Sequence, residues 1–328
     1  MKHKRREYSE DDVRIRPSRR SRPRTRIRPA HKDSVEGFVV AVDRGRYACR
    51  VDGDRSVTAM RARELGRKSI VVGDNVALVG DTSGKDGTLA RIVRVAPRHG
   101  QLRRTADDDD TTERIIVANV DQLVIVASLT DPPPRTGFID RCLVAAYDAD
   151  ISPLLCLTKS DIGHDTIPQI RQYYDDLDVE MVTCGRNTPL ETLSKYLSGK
   201  LSVMIGHSGV GKSTLVNRLV PGADRDVGDV SAIGKGRHTS TNAVALPLED
   251  GWVVDTPGVR SFGLAHVSAD SLLHSFGDLA DVATQCPRGC DHTGNNDDCA
   301  LDSLRRDDAT LPQRLVTYRR LLHSTTNQ

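Results

Sequence analysis

The 328 residues are enough for about two compact units at roughly 150 residues each, which excludes a lone small module. With 38% hydrophobic residues, 28% charged residues and no apolar run near the roughly 18 residues of a membrane span, the chain reads as soluble, with no membrane partner. The basic N-terminus has no apolar stretch behind it, so a cytoplasmic address is expected, and seven cysteines, an odd number, favour metal ligation or burial over a disulfide framework.

The net charge of +2 hides an asymmetry. Residues 1–32 hold 13 Lys and Arg against 4 Asp and Glu, a local +9 that leaves −7 for the rest. Arginines 14, 16, 19, 20, 22, 24, 26 and 28 alternate with Pro and Ser and offer no apolar face, so residues 1–33 are expected to form a disordered basic tail. Arms of this kind contact phosphate backbones; a solvated tail without a specific partner is the alternative.

Short alternating runs follow at 37–42, 47–51, 57–60, 75–79 and 89–95, separated by turn signals at Asp52-Gly53, Gly73-Asp74, Ser83-Gly84 and Asp86-Gly87. Five strands in so short a stretch predict a β-barrel, an OB-fold over 34–98, of the kind that binds nucleic acid. An SH3-like barrel used for protein contacts is the other reading, and with only Phe38 and Tyr47 as aromatics, base stacking has little support. The polar stretch 105–112, with aspartates at 107–110, reads as an exposed loop within a linker spanning 99–112.

Beyond it, apolar strands alternate with helices, which implies a parallel sheet in a domain over 113–270. Strands are expected at 122–128, 153–157, 180–183, 201–205, 243–247 and 251–255, and helices at 138–148, 167–177, 190–197 and 212–220.

The run Gly206, His207, Ser208, Gly209, Val210, Gly211, Lys212, Ser213 satisfies G-x-x-x-x-G-K-[ST], with a strand before it and a helix from Thr214 onward. Backbone N–H groups of such a loop close around phosphate oxygens at a helix N-terminus, Lys212 supplies a mobile cation, and the Ser213 hydroxyl ligates Mg²⁺. Further on, a strand ends in Asp255-Thr256-Pro257-Gly258, a D-x-x-G in which Asp255 reaches Mg²⁺ through water and the Gly258 N–H meets the γ-phosphate. The loop 234–241 between them is rich in Gly and polar residues, and one of its threonines is a candidate second Mg²⁺ ligand, which one being open.

The base-reading element lies upstream. Thr158, Lys159, Ser160 and Asp161 follow a strand as T-K-x-D, a variant of the guanine-specifying N-K-x-D. A carboxylate accepts two N–H donors that guanine presents and adenine lacks, while the Lys159 stem covers the ring. Without the phosphate loop this would be an ordinary exposed helix start; with it, guanine is the expected base. Thr183-Cys184-Gly185 is a weaker candidate for contacts to the base edge. The motif order, base element before phosphate loop, is that of a circular permutation.

Cys286, Cys290, His292 and Cys299 form C-x3-C-x-H-x6-C, a closed Zn²⁺ set with no position left for catalysis, expected within a zinc-binding, helical C-terminal domain over 271–328. Cys49, Cys142 and Cys156 sit among apolar residues and are expected to be buried packing. Residues 301–323 repeat Leu at helical spacing with arginines on other faces, either an RNA-contacting helix or a solvated amphipathic one.

From about residue 35 to the C-terminus these motifs resemble the circularly permuted GTPases of small-ribosomal-subunit biogenesis, ribosome small subunit-dependent GTPase A. The resemblance rests on IVANVD at 116–121, GHSGVGKSTL at 206–215, GRHTST at 236–241, DTPGVRSFGL at 255–264 and the cysteine cluster. It implies an N-terminal OB-fold, a permuted P-loop GTPase core and a C-terminal zinc domain, together a multi-domain α/β protein. It further implies GTP hydrolysis to GDP, stimulated by the small ribosomal subunit and timing a late maturation or release step, and a chain expected to act as a monomer. Val259 stands where many GTPases carry a water-orienting glutamine, and the resemblance points instead to His238 as the catalytic group; a loop histidine without such a role is the alternative. Gly209 is not the asparagine of potassium-activated relatives, so that mechanism is not expected. Three features depart from the family: Thr158 in place of asparagine, expected to weaken guanine affinity; zinc-ligand gaps of x3 and x6 where x4 and x5 are common, with the four ligands intact; and the added basic arm, expected to add rRNA affinity. The competing functions are a large-subunit assembly GTPase, an RNA-binding scaffold with a slow nucleotide switch, and an ATPase or kinase, against which Asp161 speaks.

Overall fold

Alternation of buried and exposed side chains builds the first part of the fold, as it must in strands that bury one face. This computed structural model describes residues 31, 33–65, 70–105, 113–177, 179–221, 243–256, 269–274, 276–294, 298–305 and 311–326. Five strands, Val35–Asp43 (β1), Arg46–Val51 (β2), Arg55–Arg61 (β3), Asn75–Gly80 (β4) and Ala90–Val95 (β5), pair in the order β1-β2-β3-β5-β4. β4 pairs back onto β1, which closes the barrel as an OB-fold. Val39, Cys49, Val57, Ala59, Leu78 and Ile92 fill its interior and are all but sealed from solvent.

Gln101–Thr105 (β6) and Glu113–Ala118 (β7) form an antiparallel pair. Residues 99–112, expected as linker, therefore contain a strand. Its partner lies beyond the acidic run, and only that non-local pairing, with Leu102 opposite Val117 and both buried, makes it one.

The central sheet contains Gln122–Ser128 (β8), Ser152–Thr158 (β9), Glu180–Cys184 (β10), Lys200–Ile205 (β11), Val244–Pro247 (β12) and Gly251–Asp255 (β13). The strands β10-β9-β8-β11-β13 are all parallel, and β12 is an antiparallel edge that touches β1 at Ala41 opposite Val244. β8 is buried at every position because helices cover both faces of the sheet. Ile125 and Leu123 pack toward Thr136–Asp148 (α1) and Ile167–Tyr173 (α2), while Val124 and Val126 pack toward Glu191–Leu197 (α3) and Lys212–Leu219 (α4). The helix expected over 167–177 ends at Tyr173.

Ala269–Leu273 (α5), Gly277–Ala283 (α6), a 3-10 turn at Ala300–Arg305 and Leu311–Thr326 (α7) complete the described chain. Phe276, Leu279, Leu315, Tyr318 and Leu321 join the core beneath α1. Arg320 of α7 pairs with the buried Asp140 of α1 at 3.3 Å. Among the described residues no helix is long and apolar enough to cross a membrane.

Candidate functional site

Parallel strands bring all their carboxyl ends to one edge, the edge where α/β sheets bind ligands. Here β9 ends in Thr158, β10 in Cys184, β11 in Ile205 and β13 in Asp255. β9 and β11 are two strand spacings apart, roughly 10 Å, about the distance from a nucleotide's base to its phosphates.

Gly206 to Gly211 link β11 to α4. A Cβ on Gly206 would lie 2.5 Å from the Val126 carbonyl oxygen, so the loop passes β8 at a distance only glycine permits. Gly211 has φ +91°, the left-handed turn that aims the first N–H groups of α4 out of the sheet edge; the Leu215 N–H donates back to the Gly211 carbonyl at 3.0 Å. Lys212 donates to the Asp255 carboxylate, and both side chains are largely covered. The Thr256 hydroxyl donates to the Met204 carbonyl at 3.0 Å and fixes the chain as it leaves β13. Ser208, Ser213 and Thr214 are exposed, and Ser213 and Asp255 are the hard oxygen donors that Mg²⁺ takes. His207 packs on the Phe138 ring with centroids 4.1 Å apart; burial, with Arg135 and Arg141 adding, pushes its pKa down.

On the base side, Thr158 is buried and its hydroxyl donates to the Val210 carbonyl at 2.5 Å, with the Ala127 carbonyl at 3.3 Å also in reach. Lys159 adopts φ +57° and its ammonium donates to the Asp131 carbonyl. The Ser160 N–H donates to the Cys184 carbonyl at 3.3 Å, which ties this turn to the end of β10. Asp161 is exposed and one carboxylate oxygen accepts the Arg186 N–H at 3.2 Å.

The residues 158–161, 206–214 and Asp255 thus converge on one edge, and Thr183-Cys184-Gly185 lies beside Asp161. His238, Gly258, Val259, the loop 234–241, the aspartates 107–110 and the basic arm apart from His31 lie outside the described residues. The sequence reading did not pick out Arg218, Arg186, Phe138 or Asp131, because each acts through a tertiary contact with no local signature.

In the C-terminal region the ligand atoms of Cys286, Cys290, His292 and Cys299 all lie within 4.8 Å of one another. His292 Nδ1 is 3.6 Å from Cys286 Sγ and 3.9 Å from Cys299 Sγ, close to the separation of about 3.6 Å between N and S ligands around tetrahedral zinc. The Ala300 N–H donates to Cys286 Sγ at 3.3 Å, and Arg319 places one nitrogen 3.9 Å from Cys299 Sγ while donating to Asp302 and to the His292 carbonyl. Donors beside two of the three thiols, Cys286 and Cys299, are what a thiolate set needs, and the residues fit Zn²⁺. Cys49, Cys142 and Cys156 are fully buried, as expected of packing residues.

The family model for RsgA GTPase matches residues 95–265. The small ribosomal subunit biogenesis GTPase RsgA of Pseudomonas aeruginosa is 37% identical over 282 residues, covering 83% of this chain and 80% of that protein. The protein of the same name from Nitrosospira multiformis is 32% identical over 296 residues, 88% of this chain and 91% of its own. Among solved structures, YjeQ from Thermotoga maritima matches with TM-score 0.65 and 24% identity over 90% of this chain and 99% of its own. YloQ, described as a circularly permuted GTPase, matches with TM-score 0.63 and 22% identity over 92% and 98%.

Proposed function

The chain belongs to the RsgA GTPase family, and from that premise we propose that it hydrolyses GTP to GDP and phosphate while acting in maturation of the small ribosomal subunit. The observation that carries this reading is the convergence of T-K-S-D, the phosphate loop and Asp255 on one sheet edge, in permuted order, with Thr158 bonded to the phosphate loop. Asp161 reads guanine, Lys212 releases Asp255 to meet the phosphates, and Ser213 with Asp255 holds Mg²⁺. When bound, that ion neutralises charge developing on the phosphoryl oxygens.

His238 orients the attacking water, since Val259 has no group that does so. Full subunit-stimulated turnover in His238→Ala would overturn that assignment. Zn²⁺ on Cys286, Cys290, His292 and Cys299 is structural, because four protein ligands leave no position for substrate. The functional division follows the motifs: an OB-fold over 34–98, a GTPase domain over 113–270 and a zinc-binding helical region over 271–328. The arginines of residues 1–32 add phosphate contacts on rRNA, in a cytoplasmic protein that works as a monomer.

Sedimentation with isolated subunits tests the partner. With a non-hydrolysable GTP analogue the chain should pellet with small subunits and not with large ones, and deleting residues 1–32 should flatten the salt dependence of that binding. Equal pelleting with both subunits would refute the assignment.

A further inference from the structure

We propose that Arg218, on the phosphate-loop helix, sets guanine selectivity by clamping the 185–188 loop against Asp161; the inference rests on the reading of Asp161 as the guanine acceptor. Arg218 lies in the last turn of α4, at the opposite end of that helix from Lys212. One guanidinium nitrogen donates to the Gly185 carbonyl at 2.9 Å and the other donates to the Thr188 carbonyl. A planar fork holds two carbonyls of one loop at a fixed separation, which the single ammonium of a lysine does not.

The clamped loop is closed on itself and pressed on the base acceptor. The Gly185 N–H donates to Thr188 Oγ1 at 3.1 Å, and the Arg186 N–H donates to Asp161 Oδ1 at 3.2 Å. A Cβ on buried Gly185 would lie 2.6 Å from Thr188 Oγ1 and 3.2 Å from Asp161 Oδ1, so the backbone touches the carboxylate and its neighbour at once. The Asp161 side chain is solvent-exposed, and among the described residues the hydrogen-bond donor that holds it is the Arg186 N–H. Whatever positions residues 185–188 therefore positions the oxygens that meet guanine. Arg218 is a positioning residue: its two terminal guanidinium nitrogens are taken up by the loop carbonyls, and it acts through Arg186 N–H on Asp161. With the Thr158 bond to Val210, it makes a second tie between the base loops and the phosphate-loop element.

The test measures equilibrium affinities of the full chain for GDP, IDP and ADP in wild type, Arg218→Lys, Arg218→Ala and Thr188→Val. IDP lacks the exocyclic amino group, one of the two donors that Asp161 accepts, so the GDP-to-IDP ratio reports the alignment of that carboxylate. Wild type should prefer GDP by about tenfold or more, the factor for one hydrogen bond to a charged group. The two Arg218 variants should cut that ratio severalfold, and Thr188→Val should cut it in the same direction. A ratio unchanged in Arg218→Lys and Thr188→Val would overturn the proposal, even if all affinities fell together as they would for general loosening. Should Arg218→Ala fail to fold, the other two variants decide. A wild-type protein that does not separate GDP from ADP would overturn the guanine reading itself, before any variant is considered.

Discussion

The Thr158 hydroxyl donates to the Val210 carbonyl at 2.5 Å, so the first residue of the base motif is fastened to the phosphate loop just ahead of Gly211. The sequence reading treated threonine here as a departure that weakens guanine affinity. The structure shows that this threonine also ties the two halves of the site together.

Thr158→Val keeps the shape and removes the donor, which leaves the Val210 carbonyl without this partner. The expected cost is about 1–3 kcal/mol, shared between fold stability and nucleotide affinity. Thr158→Asn, whose amide also donates, should recover most of it. Calorimetric titration with GDP alongside urea unfolding checks both, and a Thr158→Val protein indistinguishable from wild type would remove Thr158 from the account.

Most of the core was legible because its patterns are local. Gln122–Ser128 reads as a buried strand from seven adjacent residues, and the phosphate loop with Lys212 is a contiguous string set between a strand and a helix. The β6 strand was not legible: QLRRT carries one apolar residue, and its status as a strand depends on residues beyond the acidic run. The Arg218 contacts were hidden for the same reason, since Gly185 is 33 residues away in sequence and the donor reveals itself only once α4 packs beside the end of β10. Thr158 was visible as a residue, but its partner was not.

Asp140 is 3% exposed, and its counter-ion Arg320 also lies over the rings of Tyr173 and Tyr174. Arg320→Met strands a buried carboxylate and should destabilise the α1–α7 contact by about 3 kcal/mol. Asp140→Asn, which removes the charge instead, should cost less. Urea unfolding of the two variants gives the order, and equal losses would show that the pair carries no buried-charge penalty.

Burial and the neighbouring Arg135 and Arg141 favour neutral His207 in the folded chain, so its folded pKa lies below the ordinary 6.5. Its stabilising contribution is therefore present above pH 6.5 and is lost as the pH falls toward the lower folded value. Nucleotide-free protein should lose stability as the pH falls below about 6.5, and His207→Phe should lose less over the same range. Parallel profiles for the two proteins would show that His207 does not titrate there.

Purified protein should hold one zinc ion per chain after exhaustive dialysis, because a closed thiolate–imidazole set binds with about 10 kcal/mol or more. His292→Ala should lose the metal and lower the melting temperature. Elemental analysis of both proteins checks this, and a metal-free wild type of undiminished stability would count against a structural zinc.

The most direct measurement is turnover of GTP and of ATP by the purified chain, alone and with isolated small or large ribosomal subunits. The expected result is slow GTP hydrolysis by the chain alone, strong stimulation by the small subunit only, and little turnover of ATP under any condition. Equal turnover of ATP, or stimulation by the large subunit in place of the small, would contradict it.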